Sequence, residues 1–375
     1  MPNDHRPKLG STIAIQKPVF NTLLARLREA GYQTIGPCIK NDTLVYDSIE
    51  SINELPYGYI SEQNAGRFRL IQAGHKNYFD VIPGAQSWKQ FLFPPRVDLF
   101  ALRKNDKGWE TITPPLDAPA YAFIGVRACE LAAIQIQDRI FMRDDFNDPI
   151  YRNRRKRAFI LSVDCSNPAG TCFCVSMGTG PRVKGGFDLN LTELDDVFLL
   201  TIGSELALGL VSDLPFEDAS AFMLSTAERI MDNAAKKMGR SLDISDLPEL
   251  ILKNLDDPYW QEIGSRCLSC ANCTQVCPTC FCWDALDHMS LNGLETSRER
   301  VWDSCFNPGY SYQAGGNTRP TISSRYRQWL SHKLGTWEQQ NGTLGCVGCG
   351  RCITWCPAEI DLTKEISILR KEASK

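Results

Sequence analysis

Apolar positions near the N-terminus recur at the three- and four-residue spacing of a helix. Residues 18–30 read Pro-Val-Phe-Asn-Thr-Leu-Leu-Ala-Arg-Leu-Arg-Glu-Ala, and their apolar side chains fall on one helical face. Pro18 suits the first turn of a helix, and Gly31 suits its C-terminal cap. We therefore predict an amphipathic helix over residues 18–30. Its apolar face consists of Phe20, Leu23, Leu24 and Leu27.

Two continuous apolar runs further along the chain have the length of buried strands. The first covers residues 120–126 and the second covers residues 158–163, and neither contains a charged residue. Between them, residues 127–130 (Arg-Ala-Cys-Glu) open a stretch with helical spacing. A strand, a helix and a second strand of these lengths predict a parallel pair with a right-handed crossover.

Composition narrows the class of protein. The chain has 375 residues, is 43% hydrophobic and carries a formal net charge of −3, so it can bury a core and has no basic excess for binding nucleic acid. The N-terminus lacks the apolar core of a signal peptide, and no apolar run approaches the ~20 residues of a membrane span. In such a chain, 16 cysteines indicate reduced thiols that bind metal. We expect a soluble cytoplasmic protein.

Two cysteine runs in the last third of the chain share one spacing. Residues 267–278 and residues 346–357 both read C-x2-C-x2-C-x3-C-P, which is the spacing of bacterial ferredoxins with two 4Fe–4S clusters. In that arrangement the fourth cysteine of each run ligates the cluster of the other run. The sequence therefore predicts two crossed ligand sets. The first set is Cys267, Cys270, Cys273 and Cys356, and the second set is Cys346, Cys349, Cys352 and Cys277.

Zinc is the alternative for these runs, because paired C-x2-C motifs also form four-thiolate zinc sites. Each run has enough cysteines for one such site. However, a zinc site does not require this four-cysteine spacing with a closing proline, and the chain contains the pattern twice. We therefore favour iron–sulfur clusters.

Four further cysteines are predicted to meet at one edge of the sheet. Cys129 and Cys165 each follow a predicted strand, and Cys172-Phe173-Cys174 comes soon after. Open α/β sheets place their ligands at the carboxyl ends of the strands. We therefore predict a third cluster, of the 4Fe–4S type, held by Cys129, Cys165, Cys172 and Cys174. Buried free thiols and a zinc site are the alternatives.

A long insert separates the two ferredoxin runs. Residues 284–291 and 321–334 of the insert have helical character, as do residues 360–375 after the second run. The fold class that we expect is α+β. An α/β-like N-terminal domain with a mixed sheet would cover residues 1–250, and an all-helical dicluster ferredoxin domain would cover residues 251–375.

The insert contains three cysteines of its own, Cys280, Cys282 and Cys305. Three thiols are an incomplete ligand set, so we predict that they are structural or lie beside a cluster, with ligation of a further group as the alternative. Cys38 belongs to no pattern and is predicted to be a core thiol. No dinucleotide-binding, P-loop or nucleophile-elbow motif is present. We therefore predict that the chain conducts electrons and does not itself catalyse a reaction.

Several blocks of the sequence together resemble one protein family. They are residues 127–130, 165–174, 267–284, 300–305, 315–320 and 346–357. Among them, Cys-Pro-Thr-Cys-Phe-Cys at residues 277–282 is specific, whereas the ferredoxin spacing is not. The sequence resembles the iron–sulfur beta subunit of cytoplasmic NiFe hydrogenases of the sulfhydrogenase type, and the electron-transfer subunit of anaerobic sulfite reductase. The usual Ala-Cys-Asp of the family is Ala-Cys-Glu here, which keeps the charge and lengthens the side chain at Glu130.

This resemblance implies a hetero-oligomer. The chain would relay electrons between an FAD-containing flavoprotein subunit that reacts with NAD(P)H and the small and large subunits of a cytoplasmic hydrogenase. Within redox chemistry, the alternative is a complex with sulfite reductase subunits. In another functional class, the alternative is a zinc-stabilised binding module. Neither nucleic acid nor a membrane span is expected.

Overall fold

The structure is a computed structural model that describes residues 6–74, 76–115, 119–143 and 145–372. Within these ranges, no helix is long and apolar enough to cross a membrane.

The strands contribute to one large sheet, one smaller sheet and two short hairpins in the described part of the chain. In chain order they are β1 (Thr12–Gln16), β2 (Gln33–Lys40), β3 (Thr43–Ser48), β4 (Tyr59–Asn64), β5 (Arg67–Gln72), β6 (Arg96–Asn105), β7 (Gly108–Ile112), β8 (Tyr121–Arg127), β9 (Phe159–Val163), β10 (Leu189–Glu193), β11 (Val197–Ile202), β12 (Glu217–Asp218), β13 (Trp283–Met289), β14 (Glu295–Trp302), β15 (Tyr312–Gln313) and β16 (Gly316–Asn317).

Helices flank the large sheet and contribute more residues than strands do in the C-terminal third. In chain order they are α1 (Phe20–Glu29), α2 (Lys89–Leu92), α3 (Ala128–Phe141), α4 (Pro149–Lys156), α5 (Glu205–Val211), α6 (Ala221–Lys236), α7 (Leu247–Lys253), α8 (Tyr259–Arg266), α9 (Asn272–Gln275), α10 (Ile322–Ser331), α11 (Trp337–Asn341), α12 (Arg351–Thr354) and α13 (Leu362–Glu372). Short 3-10 turns cover Lys17–Val19 and Ile52–Glu54, and a π-helical turn covers His332–Thr336.

The large sheet is mixed, as expected. Among the described residues its eight strands have the order β12-β1-β11-β10-β9-β8-β2-β3. Its middle strands, from β2 through β8 and β9 to β10, run parallel, and the pairs toward both edges are antiparallel. The predicted parallel pair is confirmed, because β8 pairs in parallel with β9. Helices α3 and α4 lie between these two strands in the sequence.

Helices cover the faces of this sheet, which explains the largely apolar sequences of β8 and β9. Every residue of β9 is buried, as is typical of a strand covered on both faces. The amphipathic helix predicted near the N-terminus is confirmed as α1, which packs against β2 and α5. Its four predicted core residues, Phe20, Leu23, Leu24 and Leu27, are fully buried.

The C-terminal third has its own hydrophobic core, built from α7, α8, α10 and α13. The predicted helices at residues 321–334 and 360–375 are present as α10 with the π turn and as α13, with residues 373–375 outside the described ranges. The division between residues 250 and 251 stays a prediction. Helix α7 spans that position, and its Leu247, Leu250 and Ile251 belong to the C-terminal core.

The helix predicted at residues 284–291 is wrong, and an all-helical C-terminal domain is not confirmed. Residues Trp283–Met289 form β13, which pairs with β14 across a loop containing Asn292-Gly293. Gly293 adopts a positive φ of 69°, and an Asn-Gly pair is a strong hairpin signal. Strand β14 also pairs with β6 in the order β13-β14-β6-β7. Cross-strand pairing with this distant segment overrides the local helical preference.

Candidate iron–sulfur centres

The two ferredoxin runs have the same backbone conformation at matching positions. Ser269 and Ala271 in the first run have φ angles of 51° and 66°, and Gly348 and Gly350 in the second have φ angles of 65° and 75°. Each run continues into a short helix, α9 or α12, and these two helices pack together. The left-handed residues bend each run into a tight loop between its cysteines.

A backbone N–H also points to sulfur at the same position of each loop. The Ser269 N–H donates to Cys267 Sγ at 3.4 Å, and the Gly348 N–H donates to Cys346 Sγ at 3.4 Å. Hydrogen bonds to cysteine sulfur raise the reduction potential of an iron–sulfur cluster. Both runs are therefore arranged to present sulfur ligands and to stabilise negative charge on them.

The first predicted ligand set surrounds one cavity. The lining includes Cys267, Cys270, Cys273 and Cys356. Aromatic side chains of Phe306, Tyr326 and Trp329 also line this cavity. The last cysteine of the second run thus lies with the first three cysteines of the first run. Cys270 is exposed, whereas the other three are partly covered.

The second predicted set is also brought together. Burial raises the pKa of the Cys352 thiol well above its usual value, and the nearby thiolates of Cys346, Cys277 and Cys349 raise the pKa further. These thiols are therefore close enough to interact through their charges. Cys277 of the first run accordingly lies beside the three leading cysteines of the second.

A buried lysine contacts this second set. Lys333 Nζ lies 3.4 Å from Cys277 Sγ and donates to Thr279 Oγ1 and to the Gly345 carbonyl, both at 2.9 Å. A hydrogen bond from Cys280, and then the Lys333 charge, hold the pKa of Cys277 well below its usual value. Cys277 is thus stabilised as a thiolate, the form that binds iron. No sequence pattern indicated Lys333.

The four upstream cysteines line a third cavity. Cys129 is the second residue of α3, Cys165 follows β9, and Cys172 and Cys174 lie in the loop that comes next. All four line the cavity, together with Cys349 of the second ferredoxin run. The structure therefore places the predicted residues together at the carboxyl ends of β8 and β9, and adds a fifth thiol from a distant part of the chain.

An arginine with an unused donor also lines the third cavity. Arg127 is 3% exposed, and its Nη2 donates to the carbonyls of Phe79 and Val81. Its Nη1 has no hydrogen-bond partner among the described residues. An unpaired buried donor is costly, and an anionic group in the cavity would supply the missing acceptor. The sequence contained Arg127 in the Arg-Ala-Cys-Glu block but did not indicate this role.

The protonation of the four upstream thiols also fits a metal centre. Burial raises the pKa of Cys129, Cys165 and Cys174, and raises the pKa of Cys172 to about 12. The charges of Arg127 and Arg351 lower the pKa of these thiols less than burial raises it, so the protonated form is favoured. Metal binding displaces such protons and supplies the positive charge that the buried thiolates need.

The third cavity is packed directly against the loop of the second run. The Phe173 N–H donates to the Gly348 carbonyl at 2.8 Å. A Cβ at Gly348 would lie 2.6 Å from the backbone of Phe173 and Cys174, and a Cβ at Gly350 would lie 2.4 Å from the Thr171 carbonyl oxygen. Only glycine permits this approach at both positions. The loops that bear the two sets of cysteines therefore touch.

A buried ion pair joins the same two regions. Arg351, next to Cys352, pairs with Glu130, next to Cys129. Glu130 also accepts hydrogen bonds from Tyr46 Oη at 2.9 Å and from Trp88 Nε1 at 3.2 Å. The Glu130 side chain thus has partners on several sides. Its ion pair with Arg351 fixes the start of α3 against the second run.

The three cysteines of the insert line a fourth cavity together with Lys333. They are Cys280, Cys282 and Cys305. Among the residues that the structure describes, no three His, Cys, Asp or Glu side chains are placed to hold a single metal ion. Cys38 lies on β2 and is buried in the core on one face of the large sheet, as predicted.

Comparison with known proteins connects this arrangement to a family. The family model described as a 4Fe-4S dicluster domain matches residues 266–360. The chain is 31% identical over 363 residues to subunit beta of sulfhydrogenase 2 from Pyrococcus furiosus, and the match covers 96% of this chain and 98% of that protein. No solved structure matches the chain.

Proposed function

The chain belongs to the family of sulfhydrogenase beta subunits, and on this premise we propose that it relays electrons inside a NiFe hydrogenase complex. It is an iron–sulfur electron-transfer subunit with a 4Fe–4S dicluster domain. In the complex it would receive electrons from, or deliver them to, an FAD-containing subunit that reacts with NAD(P)H. Its other partner would be the hydrogenase small and large subunits. The cytoplasm is the proposed location.

Three ligand sets would hold the clusters. Those of the dicluster domain are Cys267, Cys270, Cys273 with Cys356, and Cys346, Cys349, Cys352 with Cys277. The third is Cys129, Cys165, Cys172 with Cys174. Clusters of this type supply one-electron transfer when bound. The protein would bind them, exclude water from them and set their potentials through N–H···S bonds and nearby cations.

The observation that carries the proposal is the contact between neighbouring ligand sets. Cys349 belongs to the second set and also lines the upstream cavity. Cys352 belongs to the second set and also lines the cavity of the first. The three sets would thus form a continuous series, upstream, second and first, which supports electron relay between two partners.

Anaerobic purification of the native complex tests this proposal. We expect the chain to carry at least about twelve irons, enough for three 4Fe–4S clusters, whereas about eight would limit it to the dicluster domain. Hydrogenase and flavoprotein subunits should co-purify. Sulfite reductase subunits in their place would assign the chain to the alternative complex, and zinc without visible absorption would refute the electron-transfer function.

A further inference from the structure

The fourth cavity, in the insert between the ferredoxin runs, contains more metal-binding groups than the sequence indicated. Its lining includes Cys280, Cys282 and Cys305, and it also includes His332 from the π-helical turn after α10. The imidazole of His332 adds a fourth donor to a set of thiols that was incomplete by itself. Three thiolates and one imidazole are ligands that iron–sulfur clusters accept.

Two tryptophans in the cavity wall have unused hydrogen-bond donors. Trp329 and Trp337 both line the cavity and are 4% and 2% exposed. The Nε1 atom of each is buried and has no hydrogen-bond partner among the described residues. Buried indole N–H groups ordinarily find an acceptor. Trp329 also lines the cavity of the first ligand set, so Trp337 is the tryptophan that belongs to this cavity alone. Its unpaired N–H beside three thiols fits a bound group that carries acceptors, and the sulfides of a cluster meet this need.

The positions of the donors distinguish a cluster from a single ion. Cys282 and Cys305 are in hydrogen-bonding contact with each other, and Cys280 contacts Cys277. Among the described residues, no group of three such donors is placed to hold a single ion, and this is equally true of the two ferredoxin sets. A cluster has several iron atoms, each reached from a different side, and so tolerates ligands on separate walls.

A positive charge is already placed at this cavity. Lys333 lines it while its Nζ contacts Cys277 Sγ at 3.4 Å, so the same cation borders both this cavity and the second ferredoxin set. Negative charge from bound thiolates would be partly offset there.

We propose that Cys280, Cys282, Cys305 and His332 hold an additional iron–sulfur cluster, beside the second ferredoxin set. This site goes beyond the three sets of the proposed relay. It gives the second set a third neighbour, in addition to the upstream and first sets, and therefore a branch in the path of electrons.

The decisive variant is Cys282→Ser combined with Cys305→Ser in the full chain within its anaerobically purified complex. These two cysteines contact each other, and Cys280 is left in place because it touches Cys277. We expect the iron content to fall by roughly two to four atoms per chain, for a two-iron or a four-iron cluster, with matching loss of acid-labile sulfide. The EPR signals of the dicluster domain should remain. Cys38→Ser, which removes a core thiol elsewhere, is the control and should lose no iron.

A second variant tests the imidazole ligand. In His332→Gln, the nitrogen hyperfine coupling of one cluster, observed by pulsed EPR in the unmodified protein, should disappear while the other signals persist. Equal iron in the cysteine variant and the unmodified protein would overturn the proposal, as would a Cys282–Cys305 disulfide in the anaerobic complex. Failure of the proposed relay would differ, because the dicluster signals would then be missing from the unmodified protein.

Discussion

The ferredoxin runs and the upstream site both consist of cysteine ligands, but different parts of the structure position those ligands. Each run supplies three cysteines within one short loop, shaped by its own left-handed residues, and Cys270 of the first run reaches the surface. The upstream cysteines come from a helix start, a strand end and a loop, and Cys172 is only 6% exposed. The first kind of site is built by local backbone geometry. The second kind is assembled from segments that are distant in the chain, and the loop of the second run closes its cavity.

The largest expected effect is the difference in iron loss between a variant of an upstream cysteine and a variant of a ferredoxin cysteine. Cys172→Ser should remove about four irons and one cluster signal, because its site has no local scaffold once a ligand is lost. Cys270→Ser should retain most of the iron at its site, because the loop still holds the neighbouring cysteines. Iron analysis and EPR of the two purified variants measure the difference. Equal losses would remove the distinction, and survival of every signal in Cys172→Ser would refute the upstream assignment.

The next effect tests the contact between the two kinds of site. Gly348→Ala places a Cβ against the backbone of Phe173 and Cys174, so we expect destabilisation of about 2–4 kcal/mol and loss of upstream iron. Gly293→Ala is the matched control, because its φ of 69° is similar but nothing lies within 4 Å of its Cβ position. It should cost only about 1–2 kcal/mol. Anaerobic thermal unfolding of the two variants measures the difference. Equal shifts in unfolding temperature would contradict the close approach of Gly348 to Phe173 and Cys174.

A smaller effect is expected on the reduction potential of the upstream cluster when the charge of Arg127 is removed. Arg127→Gln removes a positive charge from the cavity wall, which disfavours the reduced, more negative form of a bound cluster. The reduction potential should become more negative by several tens of millivolts, where about 59 mV is a tenfold change in a one-electron equilibrium. Arg127→Lys keeps the charge and should shift the potential less. A redox titration followed by EPR measures both, and a positive shift in the glutamine variant would contradict this role.

The smallest effect concerns the ion pair that joins the two regions. Glu130→Asp shortens the side chain, so that it loses contact with some of its partners, which include Tyr46, Trp88 and Arg351. We expect a loss of about 1–2 kcal/mol in the free energy of unfolding, with unchanged iron content. Thermal unfolding and iron analysis of the variant provide the measurement. Loss of the upstream iron would instead mean that Glu130 positions Cys129.

The same contrast explains what the sequence could predict. The cysteine spacing of each ferredoxin run encodes its loop, since the ligands are neighbours in the chain. The buried strands β8 and β9 were recognisable as apolar runs, and their parallel pairing brought Cys129 and Cys165 to one edge. These inferences depend on periodicity or on short distances along the chain.

Other features depend on contacts between distant segments, which periodicity does not encode. Lys333 lies within a helical stretch, and only the packing of that stretch places its ammonium beside Cys277. Cys349 reaches the upstream cavity only because the loop of Phe173 packs against the second run, and the cysteine spacing does not encode that contact. The hairpin of β13 and β14 also pairs with the distant strand β6, and the helical character of residues 284–291 does not reveal that contact.

The wall that the second run contributes to the upstream cavity has a consequence for how the protein matures. Residues 348–351 are made late in translation, yet they cover cysteines that emerge from the ribosome much earlier. Before the C-terminal third docks, this wall is not yet in place, and we expect the upstream cysteines to be more open to the cell's iron and sulfide donors. We therefore expect cofactor insertion upstream to precede closure, so that a chain that closes empty would have to reopen to be repaired.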